Sequence, residues 1–222
     1  MWNCIKYLLV AVFFKINSIF INADIIIDDS FGSPGVLQGP NFKITENLGR
    51  LDGSNLFHSF SEFSLKKGES VMFSAINKIE NVIGRVTGSE ISEIDGIISS
   101  DILGADLYLL NPNGFLFKEN AELNIDGAFI VSAMSKINLG ETGVFNAVNP
   151  QKSVFVTAPP DAFGFLENNP AGKITLKGSS LVTAREINLI ANDLILTNSH
   201  YVYSRSCCGV RKKSICLSGS HF

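Results

Sequence analysis

Residues Ala121-Glu-Leu-Asn-Ile-Asp-Gly-Ala-Phe-Ile-Val-Ser-Ala133 and Gly172-Lys-Ile-Thr-Leu-Lys-Gly-Ser-Ser-Leu-Val-Thr-Ala184 can be laid over one another with apolar, glycine and terminal alanine positions coinciding. The match continues past each alanine, where Ile137-Asn-Leu139 answers Ile187-Asn-Leu189 once a single residue is skipped. Each copy reads as strand, glycine turn, strand and a third short strand, because apolar residues alternate at period two and turn formers interrupt them. One such unit cannot bury its apolar face alone, whereas stacked units bury it against each other. The repeat therefore predicts an all-β solenoid with coils of about 20 residues, very roughly eight of them. Leu123, Ile125, Val131, Ile174, Leu176 and Val182 are expected to point inward. An antiparallel sandwich is the structural rival, since strands at this spacing suit it too, but the preserved in/out phase of the repeat favours the solenoid.

The same texture runs outward in both directions. From Asp24 to about Asn198, apolar runs are broken at Asp52-Gly53, Lys67-Gly68, Asp95-Gly96, Asn113-Gly114 and Asp126-Gly127, pairs that suit tight turns. Of 222 residues, 45% are hydrophobic, which is enough to bury a core and argues against disorder. The formal net charge is -3 with both signs interspersed, so no basic face invites a nucleic acid.

Residues 1–23 read as a Sec-type signal peptide, with Lys6, the apolar run Tyr7 to Phe14, and Ala23 as the cleavage residue. Lys15, Asn17 and Asn22 interrupt the stretch and disfavour an uncleaved membrane span. Cys4 lies in that segment and Cys207, Cys208 and Cys216 crowd the end, so the expected mature body has no cysteine and rests on burial and backbone ladders. After Asn198 the alternation lapses, and residues 199–222 are expected to form an irregular tail, truncated or frameshifted.

In Leu107-Tyr-Leu-Leu-Asn-Pro-Asn-Gly-Phe-Leu-Phe117, Pro112 fixes φ at the first central position of a turn. Asn113 tolerates the bend, and Gly114 admits positive φ. This segment is one of several in order: Asn55-Leu-Phe-His-Ser-Phe60, Gly68-Glu-Ser-Val-Met-Phe73, Asn81-Val-Ile-Gly-Arg-Val-Thr-Gly88, Ile94-Asp-Gly96, Asn111-Pro-Asn-Gly114 and Asn124-Ile-Asp-Gly-Ala-Phe-Ile-Val-Ser132. Together they resemble the N-terminal secretion domain of the filamentous haemagglutinin family, the exported partner in bacterial two-partner secretion. The resemblance implies a right-handed parallel β-helix over residues 24–198, with an N-terminal cap and short antiparallel extra strands. It implies a non-enzymatic secretion and assembly module of an adhesin-like protein that is exported by the Sec machinery and secreted or displayed at the cell surface. The partner it implies is the periplasmic domains of an outer-membrane transporter, met by a monomer. The residues matching its secretion motifs are Asn55, Leu56, Phe57, His58, Ser59 and Phe60, with Asn111, Pro112, Asn113 and Gly114. Strand addition to the transporter's sheet is the expected mode of contact.

Other chemistry finds little footing. His58 and Ser70 invite a hydrolase reading, yet Gly68-Glu-Ser70-Val lacks the second glycine of a nucleophile elbow, and His200 and His221 lie in or beside the tail. Asp95, Asp101, Asp106 and Asp126 could supply a sugar-cleaving carboxylate pair, but they adjoin glycines or strand ends, where aspartate serves turns. No metal or cofactor motif is present: there is no Cys-x-x-Cys, and the vicinal Cys207-Cys208 is not a zinc spacing. Asn111 and Asn113 are expected to join amide ladders between coils. A carbohydrate-binding or carbohydrate-cleaving β-helix, which would show a clustered acidic or aromatic groove, and a non-functional truncated remnant stay open as alternatives.

Overall fold

Some apolar runs bury one face and others bury both, and this difference organises the molecule. Asn81–Val86 is buried at every position, whereas Ser70–Ser74 alternates buried with half-buried and Lys173–Lys177 buried with exposed or half-buried residues. A strand buried on both faces must lie in a sheet covered on both sides, while an alternating strand has one face in water. The computed structural model describes residues 25–164, 172–202 and 214–215, an all-β structure with two single-turn 3₁₀ segments.

An N-terminal arm comes first, with β1 (Ile25–Ile27), β2 (Gly35–Val36), β3 (Asn41–Thr45) and β4 (Arg50–Asp52). Then the chain repeats a circuit. It passes through β5 (Asn55–Phe63) and β6 (Ser70–Ser74), then β7 (Asn81–Val86), β8 (Ser92–Ile94) and β9 (Ile97–Ser100), then β10 (Asp106–Leu110), β11 (Gly114–Phe117) and β12 (Glu122–Asn124). The fourth circuit begins with β13 (Phe129–Ser132) and is interrupted by three antiparallel strands, β14 (Lys136–Leu139), β15 (Gly143–Asn146) and β16 (Pro160–Gly164). It resumes as β17 (Lys173–Lys177) and β18 (Ser180–Val182). The last circuit holds β19 (Ile187–Ile190), β20 (Asp193–Thr197) and β21 (His200–Val202), and β22 (Ser214–Ile215) closes the series.

Strands β5, β7, β10, β13 and β19 pair in parallel as the first sheet, with β1 and β4 antiparallel at one edge and β22 antiparallel at the other. A second sheet stacks β8, β11, β17 and β20 in parallel, and a third stacks β3, β6, β9 and β12. The second and third circuits thus visit first, second and third sheet in the same order; the first touches the second sheet only at the Leu65–Ile94 bridge, and the last two end in β18 and β21, which pair in parallel as a separate two-stranded sheet. Ile44, Leu56, Phe60, Val71, Phe73, Val82, Ile98, Leu107, Phe115, Phe129, Ile174 and Leu189 fill the space between the sheets. The outer face of the first sheet makes a second core: Phe57, Ile83 and Leu110 pack against Ile137, Leu139 and Phe145 of the antiparallel insertion. This covering explains why β7 and β13 carry no alternation of burial.

Four expectations are corrected. Among the described residues the parallel circuits number five rather than eight, because residues 25–52 form an arm of antiparallel strands in which only β3 pairs in parallel, and 133–164 leave the circuit for the insertion. The register steps are also longer than 20 residues at first, with 26 from Asn55 to Asn81, 25 from Asn81 to Asp106 and 22 from Leu107 to Phe129. The internal repeat does not mark equivalent positions: Leu123 stacks on Ile98 in the third sheet, whereas Ile174 stacks on Phe115 and Leu194 in the second. Every side of the circuit uses the same strand-turn-strand grammar, so a match in sequence does not say which side is matched. For the same reason Val182 is 47% exposed and Leu181 is the buried residue, since a one-residue change of phase turns a strand over. Ile125, Val131, Ile174 and Leu176 are buried as expected, and Leu123 is half-buried against the core.

Residues 1–23 lie outside the described residues, as do Cys207, Cys208, Cys216 and His221. The segment expected to be an irregular tail contains β21, parallel to β18, and β22.

Candidate functional site

Asn55–Phe60 opens β5, and its alternation divides the side chains between two cores. Leu56 and Phe60 join the inner core, while Phe57 meets Phe145 and Phe155 of the insertion, each at 5.1 Å between ring centroids. The Asn55 amide donates to the carbonyls of Val156 and Ala158 at 3.2 and 2.8 Å and accepts from Asn81 Nδ2 at 2.8 Å, fastening the insertion's return segment to two circuits. His58 is 1% exposed against Phe60 and Phe73. Burial pushes its pKa down to about 4, so the imidazole is neutral. The nearby backbone of Leu48 opposes that shift without making a hydrogen bond of ordinary geometry to either ring nitrogen.

Asn111-Pro112-Asn113-Gly114 turns the chain from the first sheet into the second. The Gly114 amide donates to the Asn111 carbonyl at 3.0 Å, and the Asn113 amide donates to Asn111 Oδ1 at 2.9 Å, so the turn is closed twice. Gly114 has φ +109°, and a Cβ there would lie 2.3 Å from the Lys173 carbonyl oxygen of the next circuit. Asn111 Nδ2 donates to Ser92 Oγ and the Glu90 carbonyl at 2.9 and 3.0 Å, and Asn113 Nδ2 donates to the Gly88 carbonyl at 2.8 Å. The expected amide ladder is thus corrected: the two amides bond to each other within the corner, at 3.1 Å, and clip it to the preceding corner rather than to amides of another circuit. An amide-to-amide contact between circuits falls instead at Asn55 and Asn81.

The register places Ser59, Arg85 and Leu110 in one row across three strands, so both motif segments meet the same end of the first sheet, about 10 Å apart across two strand spacings. Nine of the ten motif residues are buried and Asn113 is half-buried. Their geometry serves packing between circuits. The free surface offers only the rim of the Asn113 corner.

Arg85, inside the Asn81–Gly88 motif and without an expected role, is the largest fully buried side chain among the described residues. Its Nε donates to Ser59 Oγ at 2.8 Å, Nη1 to the Asn146 carbonyl and Ser153 Oγ at 2.6 and 2.7 Å, and Nη2 to Ser30 Oγ at 3.0 Å. The guanidinium also lies 4.4 Å over the Phe145 ring and 5.8 Å from that of Phe31. Asp28 accepts from Ser59 Oγ, Thr87 Oγ1 and the Ser30 amide, so the two charges meet through serine hydroxyls. Burial lowers the Arg85 pKa to about 10 against the opposing pull of Asp28; an arginine there stays charged. Burial raises the Asp28 pKa, but hydrogen bonds from Ser59, Ser30 and Thr87 outweigh it and hold the carboxyl below its usual range. The signal was an arginine inside an otherwise buried strand, a position that requires partners.

The residues weighed for catalysis stand apart in separate structural tasks. Ser70 Oγ donates to Asn41 Oδ1 at 2.9 Å. Asp95 accepts from the Asn120 amide and side chain, Asp101 from Ser74 Oγ, Asp106 from the Ala128 amide and Arg185, and Asp126 from the Gly104 amide. Each carboxylate therefore ties one corner to its neighbour, as turn aspartates do. Among the described residues no three acidic, histidine or cysteine side chains are gathered as for a metal ion. A surface groove between Glu62, Glu90, Glu93 and Asp95 on one hand and Lys66, Lys67 and Lys118 on the other has mixed charge and no aromatic lining, unlike a sugar-stacking cleft.

Nothing among the curated proteins matches the chain. A family model described as the TPS secretion domain matches residues 23–211, from the end of the expected signal segment, through every circuit and both motifs, to beyond β21. Since that match spans far more than half of the 222 residues, the chain belongs to the TPS secretion domain family.

Proposed function

We propose that this chain is the secretion and assembly module of an exported, adhesin-like surface protein, and that a partner outer-membrane transporter recognises it through its periplasmic domains. The observation that carries the reading is the family match over residues 23–211. The cyclic visiting of three parallel-stacked sheets supports a right-handed β-helix, with β1, β2 and β4 as its cap and β14 to β16 as the extra strands. In this reading residues 1–23 direct Sec export and are removed after Ala23, and the remaining chain acts as a monomer without catalytic chemistry.

The secretion-motif residues Asn55 to Phe60 and Asn111 to Gly114 act at two moments. In the folded module they hold circuits together. Because nine of the ten are buried, any contact they make with the transporter comes while the strands are still unpaired, when β5 can add to a sheet of the partner through its backbone.

The test is co-expression with the transporter encoded beside the gene, in a cell with an outer membrane. Release into the medium is expected only with the transporter present, with Asp24 as the new N-terminus. Release without it, or retention in the periplasm with it, overturns the reading.

A further inference from the structure

Arg85 draws its partners from parts of the chain that form separately. Ser30 belongs to the N-terminal arm, Ser59 to the first circuit, and Asn146 and Ser153 to the insertion, on β15 and on the segment between β15 and β16. The Phe145 ring beneath the guanidinium also comes from the insertion. A guanidinium at 1% exposure needs its donors matched, since a buried charge with a missing partner is strongly destabilising. Until residues 145–153 arrive, Nη1 lacks both of its acceptors and the guanidinium lacks its nearest ring. Until residues 28–30 are docked, Nη2 lacks its acceptor and the hydroxyl bridge to Asp28 is open. The hydrogen bonds between arm and insertion run by way of Arg85 and the Ser59 beside it, while Phe31 of the arm also packs directly on the Phe145 and Phe155 rings, and Arg50 lies over that of Phe155.

We propose that Arg85 is a latch that couples docking of the N-terminal arm to docking of the insertion, so that the first circuits do not settle until the chain has been delivered as far as Ser153. This inference rests on the secretion reading only for its use. A chain threading outward from its N-terminal end stays unlatched, and hence extensible, over the stretch that precedes Ser153. The latch itself is a property of the folded chain and is tested without a transporter.

The experiment is native-state hydrogen exchange on the purified chain, with Arg85→Met and Arg85→Lys beside the unaltered protein. In Arg85→Met, amides of β1 and of β15 are expected to exchange together, about tenfold faster or more, while β10 and β13 keep their protection. Arg85→Lys, which keeps the charge and loses the fork, is expected to fall between. Loosening of β1 alone, of β15 alone, or of all strands equally overturns the latch. Should Arg85→Met fail to fold, Ser30→Ala and Ser153→Ala remove one hydroxyl each from opposite sides. Their effects on the unfolding equilibrium are expected to couple by about threefold or more, and independent effects overturn the proposal. Absence of transporter-dependent release would remove the use and leave these measurements unaffected.

Discussion

His58 stands between Phe60 and Phe73 with neither ring nitrogen hydrogen-bonded, and burial holds its pKa near 4 against an ordinary 6.5. The unfolded chain therefore takes up the proton first as pH falls. The stability of the neutral, buried ring is complete above about pH 6.5 and is lost progressively toward pH 4. From about pH 7.5 to about pH 4.5 this single group is expected to remove about 2 to 3 kcal/mol. Urea unfolding at the two pH values measures the loss, and His58→Phe should flatten the difference between them. Gly114 gives a second expectation at this scale. Alanine there meets both a positive φ and the Lys173 carbonyl of the neighbouring circuit, so Gly114→Ala should cost about 2 kcal/mol or more in the same assay. Gly114 could be chosen from the Asn-Pro-Asn-Gly signal alone. The sealed environment of His58 could not, since the phenylalanine that closes over it is remote in sequence and comes from another sheet.

The antiparallel insertion is the element that makes the first sheet different from the other two. It covers Phe57, Ile83 and Leu110, which without it would form an apolar outer face. Phe145 is its anchor, fully buried and in contact with the rings of Phe31, Phe57 and Phe155 and with the Arg85 guanidinium. Phe145→Ala is therefore expected to cost about 3 to 5 kcal/mol, read from denaturant midpoints, and to raise binding of a hydrophobic dye by baring the first sheet. A substitution on an alternating strand with its side chain in water, such as Lys43→Ala on β3, should move the midpoint by about 0.5 kcal/mol or less. The strands themselves were readable from period-two alternation and glycine turns. The insertion was not separable from the circuit, because Ile137-Asn-Leu139 and Ile187-Asn-Leu189 share a pattern while pairing antiparallel in one case and parallel in the other.

Across the whole molecule, stability rests on two apolar cores and on stacked backbone ladders, with charge in a secondary role. Ion pairs such as Arg50–Asp52, Lys118–Glu93 and Arg185–Asp106 are partly exposed and contribute little. Raising the salt concentration about tenfold, to about 0.5 M, should therefore shift the unfolding midpoint by less than about 1 kcal/mol equivalent. By itself the sequence determined the all-β class, the turn positions, the family resemblance and most inward-facing residues, because alternation and turn chemistry are local and are written residue by residue. Only the tertiary structure decided how many circuits form, which sheet each strand joins, that the motif residues are buried, and that Arg85 binds an N-terminal arm to an insertion some sixty residues away. Those outcomes depend on which of several similar strands stack and on where a buried charge finds its acceptors. These are long-range choices that the same local pattern leaves equally satisfied.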